Sequence, residues 1–533
     1  MADGFPADAG RKNDPLHYLY LPHMKKILFS TALLASCIIT MAQRPATDIS
    51  RKFLQDSLNS YIELAMKQWQ IPGVSVAVVK DDQVLYIKGF GVRESGKTEQ
   101  VNEHTRFAIG SNTKAFTATA LAMLQSQKKL SLDDKVIKWI PDFKVFDPWI
   151  TKEANLRDLL CHRLGYETFQ GDFMFFDSDL SYAEVKEKFG RINPLHEFRS
   201  HWGYCNAAFA LAGEVIEKAS GMPWGSYLAD NIFRPLGMSE TLPYSKQVDT
   251  ATNVAAAHTV ANGKLRRIPF GRIDNLAPAG SILSSASDMS KWVRALLNTD
   301  KAGNQLIPAD AINATRLPHS ILGNGGHPFN RAHFYLYGLG WFLQEYEGRK
   351  LVEHTGGVNG FVTSVSLVPE ENLGIIVLTN TDANGFYEAL KWEIMDALFG
   401  LPFRNYHQTT LQEYTGNEKR MDSLVKLRKD TIAMKIAPSL PLVAFTGNYE
   451  HGIYGKMNMA MENGKLTARF EHHKGRYATL EPLGGSRFLA TFNDPLYGIR
   501  TWPFTINEGK VQSVTVTVSG FVEYTPYEFI KTP

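Results

Sequence analysis

The sequence predicts an α+β protein: a sheet with helices packed on it, followed by a small antiparallel barrel. Three observations predict this. A helix, a strand hairpin and a second helix follow one another between residues 46 and 124. Strands return near residue 354 and end in a further helix. Beyond residue 445, short strands alternate with Gly- and Asn-containing turns.

In order, Ala46 to Gln70 carries Phe53, Leu54, Leu58, Tyr61, Ile62 and Leu64 at helical spacing, an amphipathic helix stopped by Pro72-Gly73. Val74 to Val79, Asp81-Asp82 and Val84 to Ile87 form a hairpin pattern. A short helix is expected over Leu156 to Leu160, ending near Cys161-His162. Further helices are expected over Ala207 to Ser220, closed by Gly221-Met222-Pro223, and over Ser287 to Asn298. Phe361 to Pro369 and Leu373 to Thr379 read as strands about a Glu370-Glu371-Asn372 turn, and Glu388 to Leu398 as a helix. After Pro402 the charged stretch Leu411 to Ile436 reads as a helical linker. The turns Glu462-Asn463-Gly464-Lys465, Gly484-Gly485 and Asn507-Glu508-Gly509-Lys510, with the period-two alternation of Val511 to Val518, mark the barrel. The expected division is an extension and signal over 1–43, a main domain over 44–402, a helical linker over 403–440 and the barrel over 441–533.

With 533 residues, 44% hydrophobic and 21% charged, the chain has ample material for a large core. A net charge of +3 and the lack of a dense Lys/Arg run give no reason to expect nucleic acid as a partner. Met24-Lys25-Lys26 followed by Ile27 to Ser36 has the basic and apolar regions of a secretory signal, with Thr40-Met41-Ala42 as a cleavage site. Export to the periplasm is the expectation. Leu34-Ala35-Ser36-Cys37 also resembles a lipobox, which would anchor the protein through Cys37. Of the three cysteines, only Cys161 and Cys205 lie past the signal, so the spacing suggests neither a disulfide scaffold nor a zinc site. Neither a metal nor a cofactor is expected.

Chemistry concentrates at Phe107-Ala108-Ile109-Gly110-Ser111-Asn112-Thr113-Lys114, which leads into an Ala/Leu-rich helical run. Positions three apart share a helix face, so the Ser111 hydroxyl and the Lys114 amine can meet. A serine needs a nearby base to become a nucleophile, and a lysine serves if burial or a neighbouring cation keeps it neutral. The helix N-terminus favours a developing oxyanion. The spacing alone is weak, since Ser126 to Lys129 and Ser423 to Lys426 share it in polar, solvated surroundings.

Two further motifs add weight. Tyr204-Cys205-Asn206 precedes a helix; its tyrosine can act as a general base or return a proton, and its asparagine suits a substrate amide. Alone it reads rather as a buried tyrosine with a capping asparagine. His354-Thr355-Gly356-Gly357 precedes a strand; its glycines would let a substrate backbone approach, and the Gly357 N–H could complete an oxyanion hole with that of Ser111. Alone it reads as a plain turn.

Taken in this order, S-x-x-K, Y-x-N and H-x-G resemble the serine β-lactamase and DD-peptidase superfamily, in its class C β-lactamase-like branch. Ile71-Pro72-Gly73, Leu156 to His162, Arg234-Pro235-Leu236-Gly237-Met238 and Pro278-Ala279-Gly280 resemble further signposts of that family, spanning roughly residues 50 to 400. The resemblance implies an antiparallel sheet flanked by helices plus an all-helical region, with the site between them, and a lipocalin-like barrel. It implies Ser111 as acylated nucleophile, Lys114 and Tyr204 sharing the proton traffic, Asn206, His354, Thr355 and Gly356 binding substrate, and the Ser111 and Gly357 backbone as oxyanion hole. The substrate would be a small amide, a D-amino-acid peptide or an ester. The alternatives are a β-lactamase, a slowly turning over penicillin-binding receptor, and a carrier that acts through its barrel. His354 stands where class C β-lactamases carry lysine, and His162-Arg163-Leu164-Gly165-Tyr166 departs from the usual His-Thr-Ser-Gly-Leu. Phe169, Phe173, Phe175 and Phe176 read as a core cluster or the lining of an apolar pocket.

Overall fold

The computed structural model describes residues 52–298 and 306–533; the extension, the signal segment and Cys37 lie outside them. Helix α1 (Leu58–Trp69) turns Leu58, Tyr61, Ile62, Ala65, Met66 and Trp69 inward. It stops at Gln70, which takes a left-handed conformation before the Pro72-Gly73 pair is reached. The hairpin β1 (Gly73–Lys80) and β2 (Gln83–Gly91) closes on Asp81 and Asp82, both at positive φ, as a two-residue turn demands.

An eight-stranded antiparallel sheet forms around that hairpin. Its other strands are β3 (Ser320–Asn324), β4 (Phe334–Tyr337), β5 (Phe342–Tyr346), β6 (Arg349–Val358), β7 (Phe361–Val368) and β8 (Leu373–Thr379), in the order β2-β1-β8-β7-β6-β5-β4-β3. The first and last strands of the sheet in sequence therefore pair inside it, one strand in from the β2 edge, with Val76 opposite Val377. Side chains alternate between two cores. Val74, Val76 and Val78 meet α1 and α5 (Phe386–Phe399), whereas Ala77 and Val79 join the core of the helical region. With both faces covered, β1 and β8 read as unbroken apolar runs.

The helical region is built on α2 (Thr113–Ser126), buried from Thr113 to Leu124. A helix enclosed on all sides is expected to be apolar or small all round, and Lys114 is the exception within the buried part of this one. It packs with α3 (Asn206–Ser220) and α4 (Ala286–Leu297), and Phe116 stacks on Trp292 with ring centroids 4.1 Å apart. Cys161 and Cys205 are free, buried thiols.

A single long helix, α6 (Tyr406–Ala433), leads to the barrel. Its start is fixed where Trp69 donates to His407 (2.9 Å), while most of its length is exposed. The barrel is closed and eight-stranded: β9 (Gly447–His451), β10 (Gly455–Glu462), β11 (Lys465–Phe470), β12 (Tyr477–Gly484), β13 (Arg487–Phe492), β14 (Ile499–Asn507), β15 (Lys510–Val516) and β16 (Tyr527–Lys531). No helix among the described residues is long and apolar enough to cross a membrane.

The four phenylalanines near residue 170 divide differently from the sequence expectation. Phe175 joins the core of the helical region, and Phe176, half-buried, packs against it. Phe173 enters the barrel core instead, stacked on His473 (4.6 Å) and Tyr527 (5.5 Å). Phe169 and Phe176 meet Tyr524 and Phe521 of the loop before β16. These side chains form a seam between the two parts of the molecule. Phe173→Ala is expected to lower the unfolding free energy by about 3 kcal/mol or more. Denaturant unfolding of the full chain measures it.

Candidate active site

Ser111 sits in a single 3-10 turn, Gly110–Asn112, that feeds α2. Asn112 and Thr363 hold this turn, Asn112 donating to Thr363 Oγ1 (2.9 Å) and Thr363 to the Ile109 carbonyl (3.0 Å). Gly110 has φ +53°, a conformation costly for residues with a Cβ. Strand β6 presses against the turn at Gly356, where a Cβ would lie 1.9 Å from the Ile109 oxygen. The glycine therefore admits the protein's own backbone, where the sequence suggested room for a substrate. Gly357 lies beside Gly110, so the Gly357 backbone and the Ser111 turn adjoin.

The Lys114 amine is fully buried and makes three polar contacts: Ser111 Oγ (3.1 Å), Asn206 Oδ1 (2.6 Å) and the Ala279 carbonyl (2.7 Å). Two of these neighbours can only accept. A neutral amine has two N–H groups and one lone pair, so it can donate to both and offer the lone pair to the Ser111 hydroxyl. Burial lowers the Lys114 pKa to about 7, a shift that Asp172 opposes to the extent that it is ionised. The other two S-x-x-K serines do not reproduce this: Ser126 donates to Ala122 and Asp310, and Ser423 to the Lys419 carbonyl.

Tyr204 lies beneath the amine, its ring centroid 4.6 Å from Nζ. Its hydroxyl is buried without a partner at hydrogen-bond distance. Burial holds its pKa well above the usual phenol value, and the nearby Ser111 hydroxyl only partly offsets this. The phenol is therefore neutral at rest.

Asn206 and His354 are both turned inward. Asn206 accepts from Lys114 and donates through Nδ2 to Asp172 Oδ2 (2.5 Å), which leaves one amide N–H and one oxygen lone pair uncommitted. Around His354 a chain of bonds defines the tautomers. The Cys205 N–H donates to His162 Nδ1 (3.0 Å), leaving His162 Nε2–H for the Tyr337 hydroxyl (3.2 Å). Tyr337 then donates to His354 Nε2 (3.1 Å), and His354 Nδ1–H to the Thr355 carbonyl (2.6 Å). Both imidazoles are neutral. Burial, and then the Lys114 charge, depress His354 to about 3 and His162 well below its usual range. Thr355, by contrast, is half-buried beside Gly356.

Asp172 and Tyr337 escaped the sequence analysis, and Ala279 entered it only within the Pro278-Ala279-Gly280 signpost. Asp172 alone left a hint, a carboxylate inside the aromatic stretch Phe169–Phe176. Among the described residues, Glu167, His196 and His201 alone approach metal-ligand spacing. The two rings stack almost parallel at 3.7 Å, so one ion cannot lie in both ring planes; Glu167 and His196 are hydrogen-bonded instead (3.0 Å).

Comparison with known proteins agrees with this architecture. The Beta-lactamase family model matches residues 58–399, and a domain of unknown function, DUF3471, matches residues 433–529. The unguisins hydrolase ungD of Aspergillus violaceofuscus is 26% identical over 468 residues, covering 80% of this chain and 81% of that one. Protein flp of Staphylococcus aureus is 26% identical over 347 residues, or 62% of this chain and 64% of flp. The octameric penicillin-binding protein homologue from Pyrococcus abyssi superposes with a TM-score of 0.57 at 22% identity, covering 89% of this chain and 99% of that one. SurE, solved also with D-Leu, covers 91% of this chain and 99% of its own; the D-Leu form gives a TM-score of 0.52 at 22% identity.

Gly356→Ala is expected to lower stability by about 1–3 kcal/mol through the clash with Ile109. Gly326→Ala, where a Cβ meets nothing within 4 Å, is its control. Thermal unfolding of both variants provides the measurement.

Proposed function

The chain belongs to the Beta-lactamase family and is a serine hydrolase of that superfamily, and on that premise we propose that it cleaves a small amide or D-amino-acid-containing peptide through an acyl-enzyme on Ser111. The observation that carries the reading is the buried Lys114 amine, 3.1 Å from Ser111 Oγ, with both its N–H groups directed at acceptors.

In this reading Lys114 takes the Ser111 proton as Oγ attacks the substrate carbonyl. The negative charge that develops on the carbonyl oxygen is met by the Ser111 N–H, in the turn that feeds α2, and the Gly357 N–H of β6. As the C–N bond breaks, the proton held by Lys114 goes to the leaving amine, directly or through the Tyr204 hydroxyl. Water then hydrolyses the ester, and Ser111 regains its proton.

The substrate class rests on two supports. A neutral His354, with both ring nitrogens engaged, offers no cation for a β-lactam carboxylate, which makes β-lactam hydrolysis the weaker alternative. The relatives include a hydrolase of unguisins and a structural neighbour solved with D-Leu, which makes a D-leucyl anilide a reasonable first substrate. Export to the periplasm, with or without an anchor at Cys37, belongs to the same proposal and rests on the leader sequence.

The test uses the full chain and its Ser111→Ala variant with a fluorophosphonate, a labelled penicillin and D-leucyl p-nitroanilide. Ser111-dependent phosphonate labelling with anilide turnover is the expected outcome. Penicillin labelling that persists without turnover would favour the receptor reading, and no Ser111-dependent labelling would sink the assignment. Because only the neutral amine can accept a proton, the labelling rate should be full above about pH 7 and fall as pH drops through it. Lys114→Met is expected to slow labelling by roughly 10²–10⁴-fold.

A further inference from the structure

The barrel supplies a charged group to the neighbourhood of Lys114. Glu523, in the loop before β16, crosses the seam and accepts hydrogen bonds from the backbone of Gly171 (2.9 Å) and Phe173 (3.0 Å). It also accepts from the hydroxyls of Tyr454 (2.7 Å) and Thr525. Between those two backbone donors lies Asp172, whose carboxyl receives Asn206, which in turn receives Lys114. The path from barrel to nucleophile is thus Glu523, the Gly171–Phe173 turn, Asp172, Asn206, Lys114 and Ser111.

Two buried carboxyl groups this close cannot both ionise cheaply. Glu523 faces four donors, whereas the Asn206 amide is the one donor that the structure shows on Asp172. Donors favour a charged acceptor, so the negative charge belongs to Glu523 and the proton to Asp172. Burial raises both groups to about 7, and the charge of Glu523 adds to the rise at Asp172; it is the unequal number of donors that assigns the proton. The remaining titratable neighbours do not compete. Tyr204, Tyr454 and Cys205 are held protonated by burial, and His473, stacked on Phe173, is held neutral.

The state of Asp172 decides that of Lys114. One proton divided between them gives either an ion pair, useless for taking the Ser111 proton, or a carboxylic acid beside a neutral amine. Both arrangements carry the same number of protons, and an anion on the far side of Asp172 favours the second. We propose that Glu523 is a positioning residue for the Ser111 reaction: its carboxylate fixes the Gly171–Phe173 turn and, by keeping the proton on Asp172, leaves the Lys114 amine uncharged. This rests on the reading of Lys114 as base. It makes the barrel a working part of the site, so the carrier alternative, with an inert upstream domain, is not needed to account for it.

Rates of Ser111 labelling by a fluorophosphonate, followed against pH in the full chain, test the inference. Glu523→Gln should free Asp172 to ionise and pair with Lys114, moving the midpoint of the acidic limb up by about one pH unit and slowing labelling near neutrality roughly tenfold. Asp172→Asn mimics the protonated acid and should leave the midpoint within a few tenths of a unit. The double variant should return to the wild-type midpoint. A uniform loss of rate in Glu523→Gln at every pH, with the midpoint unmoved, would overturn the inference and reduce the contact to scaffolding. If Glu523→Gln fails to fold, Asp172→Asn still decides: a fall of its midpoint by a unit or more would show that Asp172 is the anionic partner of Lys114. No Ser111-dependent labelling in the wild type would overturn the hydrolase reading and this inference with it, whereas labelling with an unmoved limb overturns this inference alone.

Discussion

The interaction on which the rest of this structure depends is the burial of the Lys114 amine against acceptors that satisfy its N–H groups but do not neutralise its charge. An exposed lysine would be an ammonium at neutral pH, and a buried one paired with a carboxylate would be held as one. Here the Ala279 carbonyl and the Asn206 amide take the N–H groups, and the nearest carboxyl stands one side chain away. Much of the surrounding fold serves this arrangement. Helix α2 is enclosed so that the amine is dry, Gly356 lets β6 reach the turn, and the Pro278–Gly280 segment brings the Ala279 oxygen.

The same preference for neutral groups governs the opposite wall. His162, Tyr337 and His354 form a directed chain in which each donor finds an acceptor, and none needs a charge. A lysine at position 354 would set a second cation near Lys114 and depress its basicity by repulsion. A neutral imidazole gives up that fixed charge, and with it a grip on anionic substrates, but makes no such demand. The choice of substrate and the means of keeping Lys114 neutral are therefore linked.

The barrel joins the main domain through exchange across the seam. Phe173 enters the barrel core, Glu523 enters the helical region, and Asp177 receives Asn359 from one side and Arg476 from the other. Phe521 stands against Gly357 and Tyr524 against Phe169, which itself packs on Tyr204. Barrel residues thus stand against Gly357 directly and against Tyr204 through Phe169.

Much was legible in the sequence because its causes are local. The hairpin at Asp81-Asp82, the buried helix after Ser111 and the period-two strands of the barrel follow from spacing and turn chemistry, and so did the approach of Ser111 to Lys114. Strands β3, β4 and β5 were not legible. They are short and near the sheet edge, with Ile321 80% exposed and Phe334 60% exposed, so no clean alternation marks them. The motifs located Ser111 and the lysine that meets it. The charge on that lysine, the neutrality of His354 and the inward turn of Asn206 were settled by tertiary structure, because a pKa depends on what surrounds a group in space. Glu523 and Gly171 lie 352 residues apart in the chain and 2.9 Å apart in the fold, a proximity that no local pattern encodes.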